Sequence, residues 1–391
     1  MINNINKIVF NSGFKRFYTS YDNLGRNFLK NYKDVKSLYS PENIYKKITD
    51  DNKKLLENIK SENTIYLSKL ITKVESTRDD HQEQSRYIIS YLQSLQQKEK
   101  NEDKNKTYRI GITGPPGAGK STFIESFGKH LTSLGNKVAV LAIDPSSIRT
   151  GGSIMGDKTR MQQLSVDPNA YVRPSATRGF LGGITKGTSD TIVLCESAGF
   201  NIIIVETVGV GQSEVSIEHL VDVFCLIVPP ANGDELQGLK KGISELADLV
   251  VVNKADGDLL PKARFTVSEY LSAFKIQRPK NLKWIPRVLS CSSVTKEHID
   301  NVWNEMLNFK KVMMETGDFT RKRAEQKELF MKKLIEEELS MMLLNNEEVQ
   351  KLIPYFETQV RDGIISPSLA SNEIIKTFME YERNKKEEVL H

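Results

Sequence analysis

Residues 108–134 read YRIGITGPPGAGKSTFIESFGKHLTSL. A hydrophobic, strand-like run from Tyr108 to Thr113 enters Gly114-Pro-Pro-Gly117-Ala118-Gly119-Lys120-Ser121, and helical sequence follows from Thr122 to Leu134. This is G-x-x-x-x-G-K-[ST] in the strand–loop–helix setting that makes the pattern a phosphate-binding loop. Gly114, Gly117 and Gly119 let the backbone N–H groups of the loop, that of Ala118 included, converge on phosphate oxygens without Cβ interference. Lys120 brings positive charge to β- and γ-phosphates, and the Ser121 hydroxyl suits Mg²⁺. Thr122 lies in the first turn of a helix whose N-terminus favours an anion. A glycine-rich turn that merely starts a helix has no need of Lys-Ser at this spacing.

Outward from this stretch, short hydrophobic runs alternate with glycine-containing loops and helical segments as far as about Phe309. The strand candidates are Arg109–Thr113, Val138–Ile143, Asn201–Val205, Val223–Val228, Leu249–Asn253 and Trp284–Ser290, the last interrupted by Pro286. Strands separated by helices imply βαβ units and a mainly parallel sheet, an α/β fold. Four regions are expected: residues 1–24, a helical N-terminal extension over 25–106 ending in the polar run Gln97–Lys106, the P-loop domain over 107–315, and a helical C-terminal arm over 316–391. In the arm, Leu329, Phe330, Leu334, Ile335, Leu339, Met342 and Leu343 recur at helical spacing. Pro354 and Gly363 are expected to break it into further helices, and Met341–Leu344 reads as helix packing.

The choice of base follows from Asn253-Lys254-Ala255-Asp256, which ends a hydrophobic strand. A carboxylate at Asp256 accepts from guanine N1–H and N2–H₂, a donor pair that adenine lacks, and a site left with an unpaired buried carboxylate rejects the wrong base. Asn253 and Lys254 would tie this loop to the base and to the phosphate loop. Ser290-Cys291-Ser292, after the last strand, would offer backbone N–H groups to guanine O6. The nucleotide pair is therefore GTP/GDP.

For metal and hydrolysis, Asn201–Val205 leads into Glu206-Thr-Val-Gly209. GTPases usually carry D-x-x-G here, the acid reaching Mg²⁺ and the glycine N–H the γ-phosphate; Glu206 is longer by one methylene. Val210 stands near the position where a water-orienting glutamine often sits, which predicts slow intrinsic turnover, with Gln212 a candidate replacement. Asp144 follows the second strand at the end where α/β sheets place ligands, and Asp157 and Arg160 lie a short loop later. Both acids suit a magnesium shell; a helix cap is the plain alternative, a weaker one for Asp144 than for Asp157. Arg160 can neutralise charge building on the phosphates. Asp234, Glu235, Lys240 and Lys241 read from the residues alone as an exposed charged surface.

The remaining composition limits the alternatives. Lys and Arg number 55 against 50 Asp and Glu, too even to mark a nucleic-acid surface. No apolar run approaches the roughly 18 residues of a membrane span. Cys195, Cys225 and Cys291 are far apart and odd in number, which excludes a disulfide framework. Met1–Tyr21 holds no acid but has Lys7, Lys15 and Arg16 among large apolar residues, the composition of a mitochondrial transit peptide; the matrix is the expected compartment.

GPPGAGKS (114–121), DPSS (144–147), GDKTRM (156–161), ETVGVGQSE (206–214), DELQGLKKGI (234–243) and NKAD (253–256) together resemble the MeaB/ArgK family of P-loop GTPases. The resemblance covers Tyr108 to about Phe309, and ETVGVGQSE departs from D-x-x-G in the way this family does. It implies a GTP-hydrolysing, homodimeric chaperone of adenosylcobalamin-dependent methylmalonyl-CoA mutase that gates cofactor loading. It also implies that Asp144, Asp157 and Glu206 serve Mg²⁺ and switching. By the same resemblance, Asp144–Arg160 is switch I, Glu206–Glu218 switch II, and Pro230–Lys240 a third switch in which Lys240 meets Glu206 and signals to the mutase. Outside the resemblance, the same phosphate-handling parts could serve a metal-inserting GTPase or a P-loop kinase.

Overall fold

β-Branched runs too short for helices pair side by side, and the computed structural model shows them as one parallel sheet. The structure describes residues 35–61, 63–99, 107–144, 161–176, 181–207, 217–231, 241–276, 281 and 283–389. Helices α1 (Val35–Leu38), α2 (Pro41–Lys46), α3 (Asp50–Glu57), α4 (Ile65–Val74) and α5 (Asp79–Glu99) precede β1 (Tyr108–Thr113). Then come α6 (Lys120–Ser133), β2 (Val138–Asp144), α7 (Gln162–Ser165), β3 (Ala170–Ala176), α8 (Leu181–Ser197), β4 (Ile202–Thr207) and β5 (Val223–Val228). The chain continues through α9 (Lys241–Leu246), β6 (Leu249–Val252), α10 (Leu260–Ile276), β7 (Arg287–Ser290), α11 (Ile299–Glu315), α12 (Asp318–Leu344), α13 (Glu347–Arg361) and α14 (Pro367–Val389).

Among the described residues the sheet has seven strands in the order β3-β2-β4-β1-β5-β6-β7, and every pairing is parallel. Strands β4, β5 and β6 are buried along their whole length, as a parallel sheet covered on both faces requires. On one face Phe123 and Phe127 of α6 and Trp303, Met306 and Phe309 of α11 cover Ile110, Ile112, Val140 and Ile204. On the other, Leu70 and Ile71 of α4, Ile88 of α5 and Leu194 of α8 cover Leu141, Ile203, Val205 and Phe224. Each such fully buried side chain contributes about 1.5–3 kcal/mol by leaving water. The N-terminal helices therefore share a core with the sheet instead of standing apart from it.

Three expectations from sequence need correction. The strand Ala170–Ala176 is additional to the six expected; it contains Pro174, which is tolerated because β3 is an edge strand. The last strand begins at Arg287, after Pro286, and Trp284 makes only an isolated antiparallel bridge to Asn281. Pro354 does not end a helix but lies inside α13, at the expense of one backbone hydrogen bond. The break comes earlier, where the Asn346 side chain caps α13 by accepting from the N–H groups of Glu348 and Val349. Gly363, at φ 72°, follows the end of that helix as expected. The arm is helical, but Met341, Met342 and Leu344 stay exposed in the single chain, so packing within it does not cover them.

Candidate nucleotide site

β1 lies between β4 and β5 near the middle of the sheet, and the loop that leaves it carries the Gly114–Ser121 run. Two glycines are there by necessity. A Cβ on Gly114 would fall 2.0 Å from the Ile227 carbonyl oxygen, and one on Gly119 would fall 2.7 Å from Asn253 Nδ2. Gly119 has φ +84° and supplies no side-chain cap to α6. The first N–H groups of that helix are therefore not capped by this residue, and they suit an anion. Lys120 is 9% exposed, and its ammonium donates to the carbonyls of Gly114 (2.7 Å) and Pro115 (3.2 Å). The lysine thus lies folded over the loop whose phosphates it is suited to meet.

The parallel register sets Ile112 opposite Glu206. This brings the end of β4 beside the phosphate loop, where Ser121 Oγ donates to Glu206 Oε1 at 3.1 Å. Glu206 is 8% exposed. Next to it Thr207 Oγ1 donates to Thr113 Oγ1 at 2.8 Å, joining the ends of the two strands. A hydroxyl and a carboxylate brought together over a phosphate loop are hard oxygen donors of the kind Mg²⁺ takes, so these residues fit that ion. No group of three or more His, Cys, Asp or Glu side chains that could hold a metal is found among the described residues.

The base loop sits directly on the phosphate loop. Asn253, 1% exposed, donates from Nδ2 to the carbonyls of Ala118 (3.0 Å) and Gly119 (3.3 Å). Its Oδ1 accepts from both the N–H (3.1 Å) and the hydroxyl (2.7 Å) of Ser293. Lys254 takes the left-handed conformation at φ 59°. Asp256 accepts from the Ser292 hydroxyl. The expectation for Ser290-Cys291-Ser292 is not met in the form stated. The Cys291 N–H donates to Val252 O (2.9 Å) and the Ser292 N–H to Glu297 O (3.1 Å), so neither faces a base. Sheet pairing runs one residue past Ser290, and this loop reaches Asp256 through the Ser292 side chain. Burial pushes the Cys291 thiol up to about 12, which keeps it protonated.

Among the expected residues, Gly114, Gly117, Ala118, Gly119, Lys120, Ser121, Thr122, Glu206, Asn253, Lys254 and Asp256 are gathered at one end of the sheet. Asp144 is the last residue of β2, at that same end. Asp157, Arg160, Gly209, Gln212, Asp234 and Lys240 lie outside the described residues, as does the 1–24 segment. Sequence reasoning passed over Ser293, Ser126 and the Thr113–Thr207 pair. Only the Thr113–Thr207 pair, at the ends of β1 and β4, had a position that could have pointed to it; Ser126 lies within α6 and Ser293 in the loop after β7.

A family model described as "Methylmalonyl Co-A mutase-associated GTPase MeaB" matches residues 67–348. The chain is 46% identical over 314 residues to the mitochondrial methylmalonic aciduria type A homolog of Mus musculus, covering 80% of this chain and 76% of that one. It is 41% identical over 361 residues to the Caenorhabditis elegans homolog of the same name, covering 92% and 88%. It is also 41% identical over 301 residues to the Escherichia coli GTPase ArgK, covering 77% and 88%. The solved structure of a LAO/AO transport system kinase superposes with a TM-score of 0.65 at 32% identity, covering 85% of this chain and 99% of that one.

Proposed function

This chain belongs to the MeaB family of methylmalonyl-CoA mutase-associated GTPases, and from that premise we propose that it serves as the GTP-driven chaperone of an adenosylcobalamin-dependent methylmalonyl-CoA mutase. It is a GTPase with a guanine-nucleotide site. The finer role, gating cofactor loading and protecting or reactivating the mutase, is our reading. The observation that carries it is the family match across residues 67–348, supported by relatives whose names place them in mitochondria. The acid-poor segment 1–24 favours the same compartment, the matrix, for this chain.

Hydrolysis here is positioning and electrostatics, without a covalent intermediate. The loop N–H groups and the start of α6 take the phosphates, and Lys120 exchanges its two carbonyl partners for β- and γ-oxygens. Asp256 selects guanine, and Asn253 fixes the base loop to the phosphate loop. Mg²⁺ would be held by Ser121 and Glu206, with Asp144 and Asp157 as further candidates, and would neutralise charge on the phosphates. We assign the Gly209 N–H to the γ-phosphate and Arg160 to charge developing during cleavage. Asp234 and Lys240 are assigned to contact with the mutase. The exposed apolar side chains of α12 and α14, among them Ile335, Leu339 and Ile375, favour a homodimer built through the arm.

The test is GTP turnover by the chain lacking Met1–Tyr21, with and without methylmalonyl-CoA mutase, and with ATP as control. Slow turnover of GTP alone, abolished by Lys120→Ala and accelerated by the mutase, is expected. GTP turnover that the mutase leaves unchanged overturns the chaperone reading and leaves the GTPase intact.

A further inference from the structure

Asn253 can bind its neighbours in one orientation only. The carbonyls of Ala118 and Gly119 accept and cannot donate, so the Asn253 amide nitrogen must face them. The Ser293 backbone N–H donates and cannot accept, so the Asn253 carbonyl must face Ser293. The Ser293 hydroxyl adds a second donor to that same oxygen at 2.7 Å. Ser293 is itself anchored, because its carbonyl accepts from Ser126 Oγ at 2.6 Å, and Ser126 belongs to α6, the helix that starts at the phosphate loop. All three groups are buried, with Asn253 at 1%, Ser293 at 4% and Ser126 at 9% exposure.

The chain of bonds runs from the phosphate-loop carbonyls through Asn253 and Ser293 to Ser126, and back into the phosphate helix. It closes a ring around the junction of the phosphate and base subsites. A dry hydrogen-bonded ring of this kind holds its members in one arrangement, and the cost of leaving any buried member unpaired enforces it. The consequence falls on the ligand. A nucleotide bridges the two subsites, so the spacing between them is worth most when it is set before binding.

We propose that Ser293 is a positioning residue for the guanine nucleotide. Its paired N–H and hydroxyl set the orientation of Asn253, and through Ser126 they fix the distance between the base loop and the phosphate loop. Ser293 touches neither the phosphates nor the reacting atoms, so it governs how long the nucleotide stays and not how fast it is cleaved.

The test uses the full chain and a fluorescent GDP analogue whose release is timed by stopped flow, together with steady-state GTP hydrolysis. Ser293→Ala keeps the backbone N–H and the longer Cys291 thiol contact (3.9 Å) on the Asn253 carbonyl and removes the hydroxyl donor. One hydrogen bond corresponds to roughly 2- to 12-fold in an equilibrium constant, so release should quicken and KM rise by about that factor, with the change in KM and not in kcat. Ser126→Ala, which frees the Ser293 carbonyl, should move the same two quantities in the same direction. Ser293→Thr, which keeps the hydroxyl, should restore release toward the parent rate. Thermal unfolding of the nucleotide-free protein separates positioning from plain stability. A lowered melting temperature in Ser293→Ala with GDP release and KM unchanged overturns the proposal, and so does a loss confined to kcat.

Discussion

Ser121 Oγ lies 3.1 Å from Glu206 Oε1, although one residue is in the first turn of helix α6 and the other near the end of strand β4, 85 positions later. The β1–β4 register that pairs Ile112 with Glu206 makes the meeting geometric and not accidental. Glu206→Gln keeps the size and a hydrogen-bonding oxygen but removes the charge. Turnover should fall by about 10²–10³, the range seen when one preorganised electrostatic group is lost, and the dependence on Mg²⁺ concentration should shift upward. Nucleotide affinity without Mg²⁺ should change little. Unaltered Mg²⁺ dependence in the variant would remove Glu206 from the metal shell.

Asp256 is held by the Ser292 hydroxyl, which leaves its carboxylate pre-aimed for a base with two adjacent donors. Asp256→Ala should weaken GTP binding by at least about 10²-fold while leaving the weak binding of ATP unchanged, since only guanine uses that acceptor. Competition of GTP and ATP for a fluorescent nucleotide reads this directly. Equal losses for both nucleotides would mean that Asp256 supports the loop without reading the base.

How far these features could be read from sequence depends on how local their causes are. Residues Tyr108–Ser121 and Asn253–Asp256 were legible because each role is set by neighbours within a few positions: a strand, a tight turn, a helix start. The strand Ala170–Ala176 was not, because Pro174 argues against a strand everywhere except at a sheet edge, and only the assembled order shows β3 to be an edge. Pro354 misled in the opposite direction, since the helix runs through an exposed proline at the loss of one backbone bond and no local pattern marks that tolerance. The donors expected from Cys291 and Ser292 were lost to sheet and turn bonds that no local pattern marks. Ser293 and the Arg323–Asp222 contact bring together residues 40 or more positions apart in sequence, and spacing rules do not reach so far.

Arg323 of α12 closes on Asp222 with Nε and Nη2 each 2.6 Å from a carboxylate oxygen, and Asp222 also accepts the Arg109 N–H at 2.8 Å. Burial alone would raise the Asp222 carboxyl, but Arg323 and Arg109 outweigh it and hold the group below the ordinary carboxylate range. Such a depressed acid contributes stability above its unfolded value of about 3.9, and that contribution is lost as pH falls through the lower folded value. Arg323→Ala leaves a buried carboxylate without its guanidinium and should cost about 3–5 kcal/mol in urea unfolding at pH 7. Arg323→Lys should recover only part of this, because an ammonium cannot reproduce the two-pronged contact. A cost under about 1 kcal/mol for Arg323→Ala would show that the pair merely offsets its own desolvation.

Asp190 on α8 shows the opposite behaviour. Burial pushes its carboxyl up to about 7, with Lys186 only partly opposing the shift. Between about pH 4, where the unfolded chain releases this proton, and pH 7 the folded chain keeps it, so stability falls as pH rises across that window. The slope is at most about 1.4 kcal/mol per pH unit and vanishes above it. Asp190→Asn removes the titrating group, so it should flatten this part of the profile and raise stability at pH 8. Chemical denaturation at pH 5, 6, 7 and 8 reads the slope, and an identical profile in both proteins would mean that Asp190 stays ionised in the fold.

The arm sets a last requirement. Leu329, Met331, Ile335, Leu339, Met341 and Met342 of α12 are each at least 45% exposed in the single chain, as are Leu369 and Ile375 of α14. A run of large apolar side chains along a helix is unstable in water unless something covers it. The start of α12 is already fixed to its own sheet, where Gln326 donates to the carbonyls of Val221 (2.8 Å) and Glu218 (3.3 Å) beside the Arg323–Asp222 pair. The uncovered side chains run on beyond this anchored base, where Glu338 also meets Arg86 of α5 at 2.6 Å, and they suit a second arm laid against them. Replacing Ile335 and Leu339 together by glutamate puts two charges into that face without touching the anchor. The parent chain should sediment as a dimer and the double variant as a monomer of 44.3 kDa. Basal GTP hydrolysis should persist, since neither position approaches the nucleotide site. Parent protein that stays monomeric at tens of micromolar would assign the face to the mutase instead, and the double variant should then lose mutase stimulation.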